Sequence, residues 1–66
     1  MSKIAILGAA ESGVGAAVLA LKKGYDVFVS DMGMIKDRYK DMLNNYGIEW
    51  EEGQHTATKI LDAEEI

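Results

Sequence analysis

Two parts of the sequence carry residues that could bind a phosphorylated ligand. Residues 8–13 read Gly-Ala-Ala-Glu-Ser-Gly, and Asp31 lies 18 residues beyond Gly13. Gly8 suits a tight turn, Gly13 suits a helix that lies close to a strand, and the free N–H groups of that helix favour a phosphate. Ser12 can add a hydroxyl donor. An acid at the distance of Asp31 usually contacts the ribose or base of a nucleotide, so the pattern predicts a nucleotide site.

The turn departs from the common dinucleotide pattern G-x-G-x-x-G at its middle position, which is Ala10. In dinucleotide sites that glycine lets the main chain approach the pyrophosphate, so Ala10 disfavours an ordinary NAD site. Glu11 is a poor neighbour for an anion, although a carboxylate in a first helical turn also interacts favourably with the helix dipole. A purely structural strand–turn–helix stays open as an alternative. Asp31 could likewise be the N-cap of the next helix.

Strands and helices alternate along the chain and position these residues. Apolar runs and helical spacing predict strands at 4–7, 25–30 and 48–51 and helices at 12–23 and 56–62, the last of which buries Ala57, Ile60 and Leu61. Between the second and third strands, a helical period joins Ile35, Tyr39, Met42, Leu43 and Tyr46. The prediction is an α/β domain with a Rossmann-like parallel sheet in the order 3-2-1 and helices on both faces. Gly8 and Asp31 then lie at the same edge of the sheet.

The length of 66 residues allows one small domain, residues 1–66, which we expect to be incomplete. The chain ends where an alternating α/β sequence should enter a fourth strand. Without that strand, strand 1 is a bare edge whose N–H and C=O groups can pair with another molecule. We therefore expect marginal stability or a homo-oligomer formed through this edge.

Composition excludes several classes of function. The net charge of −4 argues against nucleic acid as a partner. No membrane-spanning run or signal peptide is found, and no cysteine is present, so a soluble cytoplasmic protein is expected. His55 has no second ligand or nucleophile near it in sequence, so no catalytic residue and no metal site are predicted. Met32 and Met34 favour adaptable packing, or could line the pocket of a flat ring.

Residues 8–17 (GAAESGVGAA) and 24–31 (GYDVFVSD) resemble the N-terminus of the Mur ligases. Within that family the chain is most similar, over nearly its whole length, to the members that add D-glutamate to UDP-N-acetylmuramoyl-L-alanine. The resemblance implies a Rossmann-like domain that holds the UDP part of the substrate. ATP, Mg²⁺, D-glutamate and the catalytic residues are expected in central and C-terminal domains that this chain does not contain.

By the same resemblance, Glu11, Ser12 and Gly13 lie where the family contacts the diphosphate, and Asp31 with Met32 lies where it contacts uracil. Gly8 and Ala10 are structural residues of the turn. Glu11 replaces a residue that is commonly apolar or basic, so only its backbone N–H carries over. The isolated chain is expected to bind UDP at most and to be inactive as an enzyme. Three alternatives stay open: the start of an NAD-dependent oxidoreductase, the Mur ligase that adds L-alanine, and a small α/β regulatory module.

Overall fold

The computed structural model describes residues 2–63 of the chain. The strands are β1 (Lys3–Leu7), β2 (Asp26–Asp31) and β3 (Glu49–Glu52). The helices are α1 (Glu11–Lys22), α2 (Asp37–Asn45) and α3 (Ala57–Leu61). Strands and helices alternate as predicted, and their ends are shifted by one or two residues, the usual uncertainty of element boundaries.

The three strands form one parallel sheet in the order β1-β2-β3. Leu7 of β1 pairs with Ser30 of β2, and Asp31 pairs with Glu52 of β3. Because the strands are parallel, their carboxyl ends and the loops that follow them share one edge of the sheet. The predicted α/β class and the 3-2-1 order are confirmed. The point near Glu64 at which a fourth strand is expected lies outside the described residues.

The hydrophobic core lies between the sheet and helices α1 and α2. Val27 and Val29 of β2 point into it, where they join Val14 and Ala17 of α1 and Leu43 of α2, all of them buried. The alternation of side chains along a strand puts Val27 and Val29 on the same face. The small side chain of Ala17 lets α1 lie close to the sheet.

Helix α2 presents one row of its predicted apolar residues to the sheet and leaves the other exposed. Ile35, Tyr39 and Leu43 are buried, whereas Met42 and Tyr46 are exposed. The first three lie four residues apart and follow one ridge of the helix, although Ile35 itself precedes the helix. The apolar period therefore predicted the helix correctly but overestimated the width of its buried face.

The opposite face of the sheet is covered by the short helix α3. Phe28 is buried there beneath α3, and the Lys59 ammonium lies 5.3 Å from its ring centroid. The prediction that α3 buries its apolar residues is wrong, because none of its residues is buried and Leu61 is 78% exposed. A helix of five residues is little more than one turn and cannot present a full apolar stripe. Long cationic side chains such as Lys59 can cover apolar surface with their methylene groups.

Candidate functional site

The turn between β1 and α1 has glycine at two positions with different physical demands. Gly8 has a φ of +106°, a backbone conformation that side-chain-bearing residues rarely adopt. Gly13 lies in the first turn of α1, where an added Cβ would be 1.8 Å from the carbonyl oxygen of Gly8. Helix α1 thus begins directly against the end of β1. Its N-terminus is thereby fixed at the carboxyl edge of the sheet.

Helix α1 begins with backbone amides that are free to bind a ligand. Its N-cap is Ala10, and no side chain caps the helix. Within residues 2–63, the amides of Glu11, Ser12 and Gly13 have no hydrogen-bond acceptor. The side chains of Glu11 and Ser12 are exposed. Three free donors at the positive end of the helix dipole suit a phosphate group.

The carboxylate of Asp31 joins this turn to the end of β2. Its Oδ2 accepts a hydrogen bond from the backbone N–H of Ala9 at 2.8 Å, and its Oδ1 accepts one from the N–H of Gly33 at 2.8 Å. These two contacts, that of Ala9 first, hold the pKa of Asp31 below its usual value. Asp31 does not cap α2, whose N-cap is Lys36. Since an ionised carboxylate has about four acceptor sites, roughly half of them remain for a ligand.

The loop from β2 to α2 is anchored by the end of β3. The carbonyl of Gly33 accepts a hydrogen bond from the Gly53 N–H at 2.9 Å. Glu52 accepts one from the N–H of Ile35 at 2.9 Å and forms an ion pair with Lys40 at 2.9 Å. The Lys40 ammonium is the main cause of a lowered pKa of Glu52, and the Ile35 N–H is the second. The loop beside Asp31 is therefore fixed along its backbone.

Two methionine side chains project from this anchored loop into solvent. Met32 is 63% exposed and Met34 is 76% exposed. They lie on either side of Gly33, whose backbone N–H donates a hydrogen bond to Asp31. Exposed thioether side chains are adaptable contact surfaces and pack well on aromatic rings. Met32 directly follows Asp31, the last residue of β2, and its apolar surface is available to a ligand.

A cleft of about 460 Å³ opens between α1 and α2. It is lined by Glu11, Val14, Gly15, Arg38, Tyr39 and Met42. The guanidinium carbon of Arg38 lies 4.8 Å from the ring centroid of Tyr39, and Nη2 donates to the Tyr39 hydroxyl at 3.0 Å. Of the predicted site residues only Glu11 borders this cleft. Glu11 therefore lies on the side of α1 that faces α2.

A buried polar cluster lies on the other face of the sheet, at the end of β2. Ser30 is fully buried, and its Oγ lies 2.8 Å from Oε2 of Glu51, 3.1 Å from the carbonyl of Gln54 and within hydrogen-bond distance of Nδ1 of His55. Glu51 also accepts hydrogen bonds from the backbone N–H of Thr56 at 2.7 Å and from its hydroxyl. The Thr56 N–H, followed by its hydroxyl, holds the pKa of Glu51 below its usual value.

Sequence reasoning missed this cluster. Ser30 and Glu51 were assigned only to strands, and His55 was considered without spatial neighbours. One signal could have pointed to it, because Ser30 ends an apolar strand run and a buried hydroxyl needs hydrogen-bond partners. Those partners come from residues 21 to 25 positions later in the chain, which only the parallel sheet brings close.

Two further classes of site find no support in the described part of the chain. Residues 2–63 contain no group of three or more side chains that could hold a metal ion. No helix among them has the length and apolar character needed to cross a bilayer.

Comparison with known proteins identifies relatives along nearly the entire chain. A family model described as the MurD N-terminal domain matches residues 3–66. The UDP-N-acetylmuramoylalanine--D-glutamate ligase of Bacteroides fragilis is 61% identical over 66 residues, which is 100% of this chain and 15% of that protein. No solved structure matches the chain significantly.

More distant relatives carry the same name. The UDP-N-acetylmuramoylalanine--D-glutamate ligase of Christiangramia forsetii is 58% identical over 64 residues, 97% of this chain and 14% of that protein. The ligase of Cytophaga hutchinsonii is 53% identical over 64 residues, with the same coverage of 97% and 14%. The chain thus spans about 15% of the length of the curated relatives that it matches.

Proposed function

The chain belongs to the family of MurD N-terminal domains, and from this we propose that it is the part of a UDP-N-acetylmuramoylalanine--D-glutamate ligase that binds the UDP group of the substrate. The observation that carries the proposal is the set of free amides at the start of α1. Glu11, Ser12 and Gly13 direct three N–H groups without an acceptor in residues 2–63 toward the carboxyl edge of the sheet. We assign the diphosphate to these donors and to the hydroxyl of Ser12.

The uracil ring is assigned to the neighbouring loop. Asp31 keeps about half of its acceptor sites after it has bound Ala9 and Gly33, and uracil has an N–H group that can donate to a carboxylate. Met32 supplies exposed apolar surface beside it for the flat face of the ring. A donor-rich turn for phosphate and an acid with an apolar neighbour for the base suit a nucleoside diphosphate.

The chemistry of the ligase is proposed for parts of the protein outside this chain. The resemblance implies that ATP, acting with Mg²⁺, supplies the energy for joining D-glutamate to UDP-N-acetylmuramoyl-L-alanine in the cytoplasm, during peptidoglycan precursor synthesis. The residues of this chain do not suit those groups. The sequence has no G-x-x-x-x-G-K-[ST] loop, and residues 2–63 have no cluster of metal-ligating side chains. Our proposal for this chain is therefore substrate binding.

Amide NMR titrations of the 66-residue chain test the proposal. UDP-N-acetylmuramoyl-L-alanine and UDP should shift the amides of Glu11, Ser12, Gly13 and Asp31, and NAD should not. Ser12→Ala should weaken UDP binding by about threefold to tenfold, the usual loss for one hydrogen bond. Thr58→Ala, in the exposed α3, is the matched control and should leave binding unchanged. Shifts with NAD but not with UDP would overturn the ligase proposal.

A further inference from the structure

The contacts of Ser30 determine which nitrogen of the His55 ring carries a proton. A serine hydroxyl has one hydrogen to donate. Two of its neighbours, the ionised Glu51 carboxylate and the Gln54 carbonyl, can only accept. The hydroxyl hydrogen must therefore go to one of them, so the contact with His55 is favourable only when Nδ1 donates to Oγ. In the neutral ring, Nε2 is then a bare acceptor.

This acceptor is directed away from the buried cluster. The Nδ1 edge of His55 is held against the fully buried Ser30, yet the residue as a whole is exposed. Nε2 lies on the far side of the ring and has no hydrogen-bond partner within residues 2–63. Ser30 therefore fixes the imidazole in one orientation and one tautomer and leaves its second nitrogen available.

The loop that carries His55 lies beside the candidate nucleotide site. The N–H of Gly53 donates to the carbonyl of Gly33, and the N–H of Gly33 donates to Asp31. His55 contacts Ser30, the residue that directly precedes Asp31 on β2. The pKa of Asp31 is lowered mainly by the backbone N–H of Ala9, and the charge of His55 makes a smaller contribution in the same direction. His55 and Asp31 thus share one stretch of the sheet edge.

A nucleotide bound at this edge needs more acceptors than Asp31 offers. An acid at the end of the second strand usually accepts from ribose hydroxyls in folds of this type. Here the two oxygens of Asp31 already accept from Ala9 and Gly33. A ribose presents two hydroxyl donors in addition to the N–H of the base, so a second acceptor close to Asp31 would complete the site.

We propose that His55 is a further ligand-binding residue, whose Nε2 accepts a hydrogen bond from a ribose hydroxyl of the bound nucleotide while Ser30 holds the ring through Nδ1. The inference rests on the proposed UDP site and adds to it the group that recognises the ribose. It gives the buried Ser30 and Glu51 cluster a role in orienting a side chain of the site.

Binding of UDP and of its 2′,3′-dideoxy analogue to wild type and to His55→Asn tests this at pH 8, where histidine side chains are ordinarily neutral. Asparagine can still donate to Ser30 from about the position of Nδ1 but has no atom in place of Nε2. Wild type should bind UDP about threefold to tenfold more tightly than the analogue. In His55→Asn the ratio of the affinity for UDP to that for the analogue should fall to about one, because affinity for UDP falls while affinity for the analogue is unchanged.

Ser30→Ala provides a second, independent test. It leaves Nε2 in place but removes the contact that orients the ring, so the ratio of the affinity for UDP to that for the analogue should fall below the wild-type value. This test does not depend on whether His55→Asn folds. Equal ratios in wild type and in the variants would overturn the role of His55 and leave UDP binding intact. Failure of wild type to bind UDP at all would instead overturn the proposed function, so the two failures are distinguishable.

Discussion

Gly13 and Gly15 lie two residues apart in α1, and the same substitution should have opposite effects at the two positions. A Cβ at position 13 would be 1.8 Å from the backbone oxygen of Gly8, whereas a Cβ at position 15 would have no neighbour within 4 Å. Both residues lie inside the helix and neither has a positive φ. The pair therefore separates the cost of a clash from the ordinary helix propensity of alanine.

The expected magnitudes follow from these distances. Real Cβ atoms essentially never approach another atom within 3.0 Å, so Gly13→Ala must move α1 away from β1 by more than 1 Å. The clash is with backbone, which cannot rotate away, and overpacking of this kind costs about 3 kcal/mol, the upper end of the usual range. Domains of this size are stable by about 3–10 kcal/mol. Gly15→Ala should instead stabilise the chain by about 0.5–1 kcal/mol.

Urea unfolding followed by far-UV circular dichroism measures both effects. With a slope of about 1 kcal/mol per M for a small domain, Gly13→Ala should lower the midpoint by about 3 M, and Gly15→Ala should raise it by about 0.5–1 M. Gly13→Ala should also weaken UDP binding, because it displaces the free amides of α1. A midpoint for Gly13→Ala at or above that of wild type would refute the close helix–strand contact.

Three further results are expected. Glu51→Gln should lower the urea midpoint at pH 7 by more than Glu49→Gln, because Glu51 is buried with three donors and Glu49 forms only an exposed ion pair with Lys59. The pKa of Glu51 is lowered on folding, so its contribution to stability is complete above the ordinary value of 4.5 and is lost as pH falls below that value. The difference in urea midpoint between wild type and Glu51→Gln should therefore become smaller as pH falls below 4.5. Met32→Ser should weaken UDP binding about fivefold and leave the urea midpoint unchanged. Met34→Ser should change neither UDP binding nor the urea midpoint. Loss of UDP binding in both variants would argue against a specific contact between Met32 and the ligand.

The alternating fold could be predicted because its signals are local. The apolar run before Gly8 and the small-residue period through Val14 and Ala17 specify a strand and a helix without information from elsewhere in the chain. The face covered by α3 could not be predicted in the same way. Its apolar residues have a helical spacing, but the length of a helix and what it packs against depend on tertiary contacts such as that of Lys59 with Phe28.

The candidate site also has one part that the sequence predicts from local signals and another part that depends on tertiary contacts. A glycine turn and an acid at the end of the next strand have fixed spacing in sequence, so their meeting at one edge of the sheet was predictable. That Asp31 binds the backbone of this turn was not, because the sequence shows an acid but not which N–H groups remain unpaired near it. The contact between Ser30 and His55 joins β2 to the loop before α3, and neither residue has a local signal for its partner.

Ala10 shows how one departure from a motif narrows the ligand. Its φ of −91° and ψ of −167° are extended and open to any residue, so the turn itself does not need glycine at this position. Ala10 is exposed and is the N-cap of α1, directly before the residues with free amides. In dinucleotide sites the glycine at this position lets the main chain approach the pyrophosphate, so the methyl group of Ala10 disfavours a diphosphate that lies along the turn as that of NAD does. The position therefore favours a nucleotide held at its base and ribose by the next loop, which supports UDP over NAD.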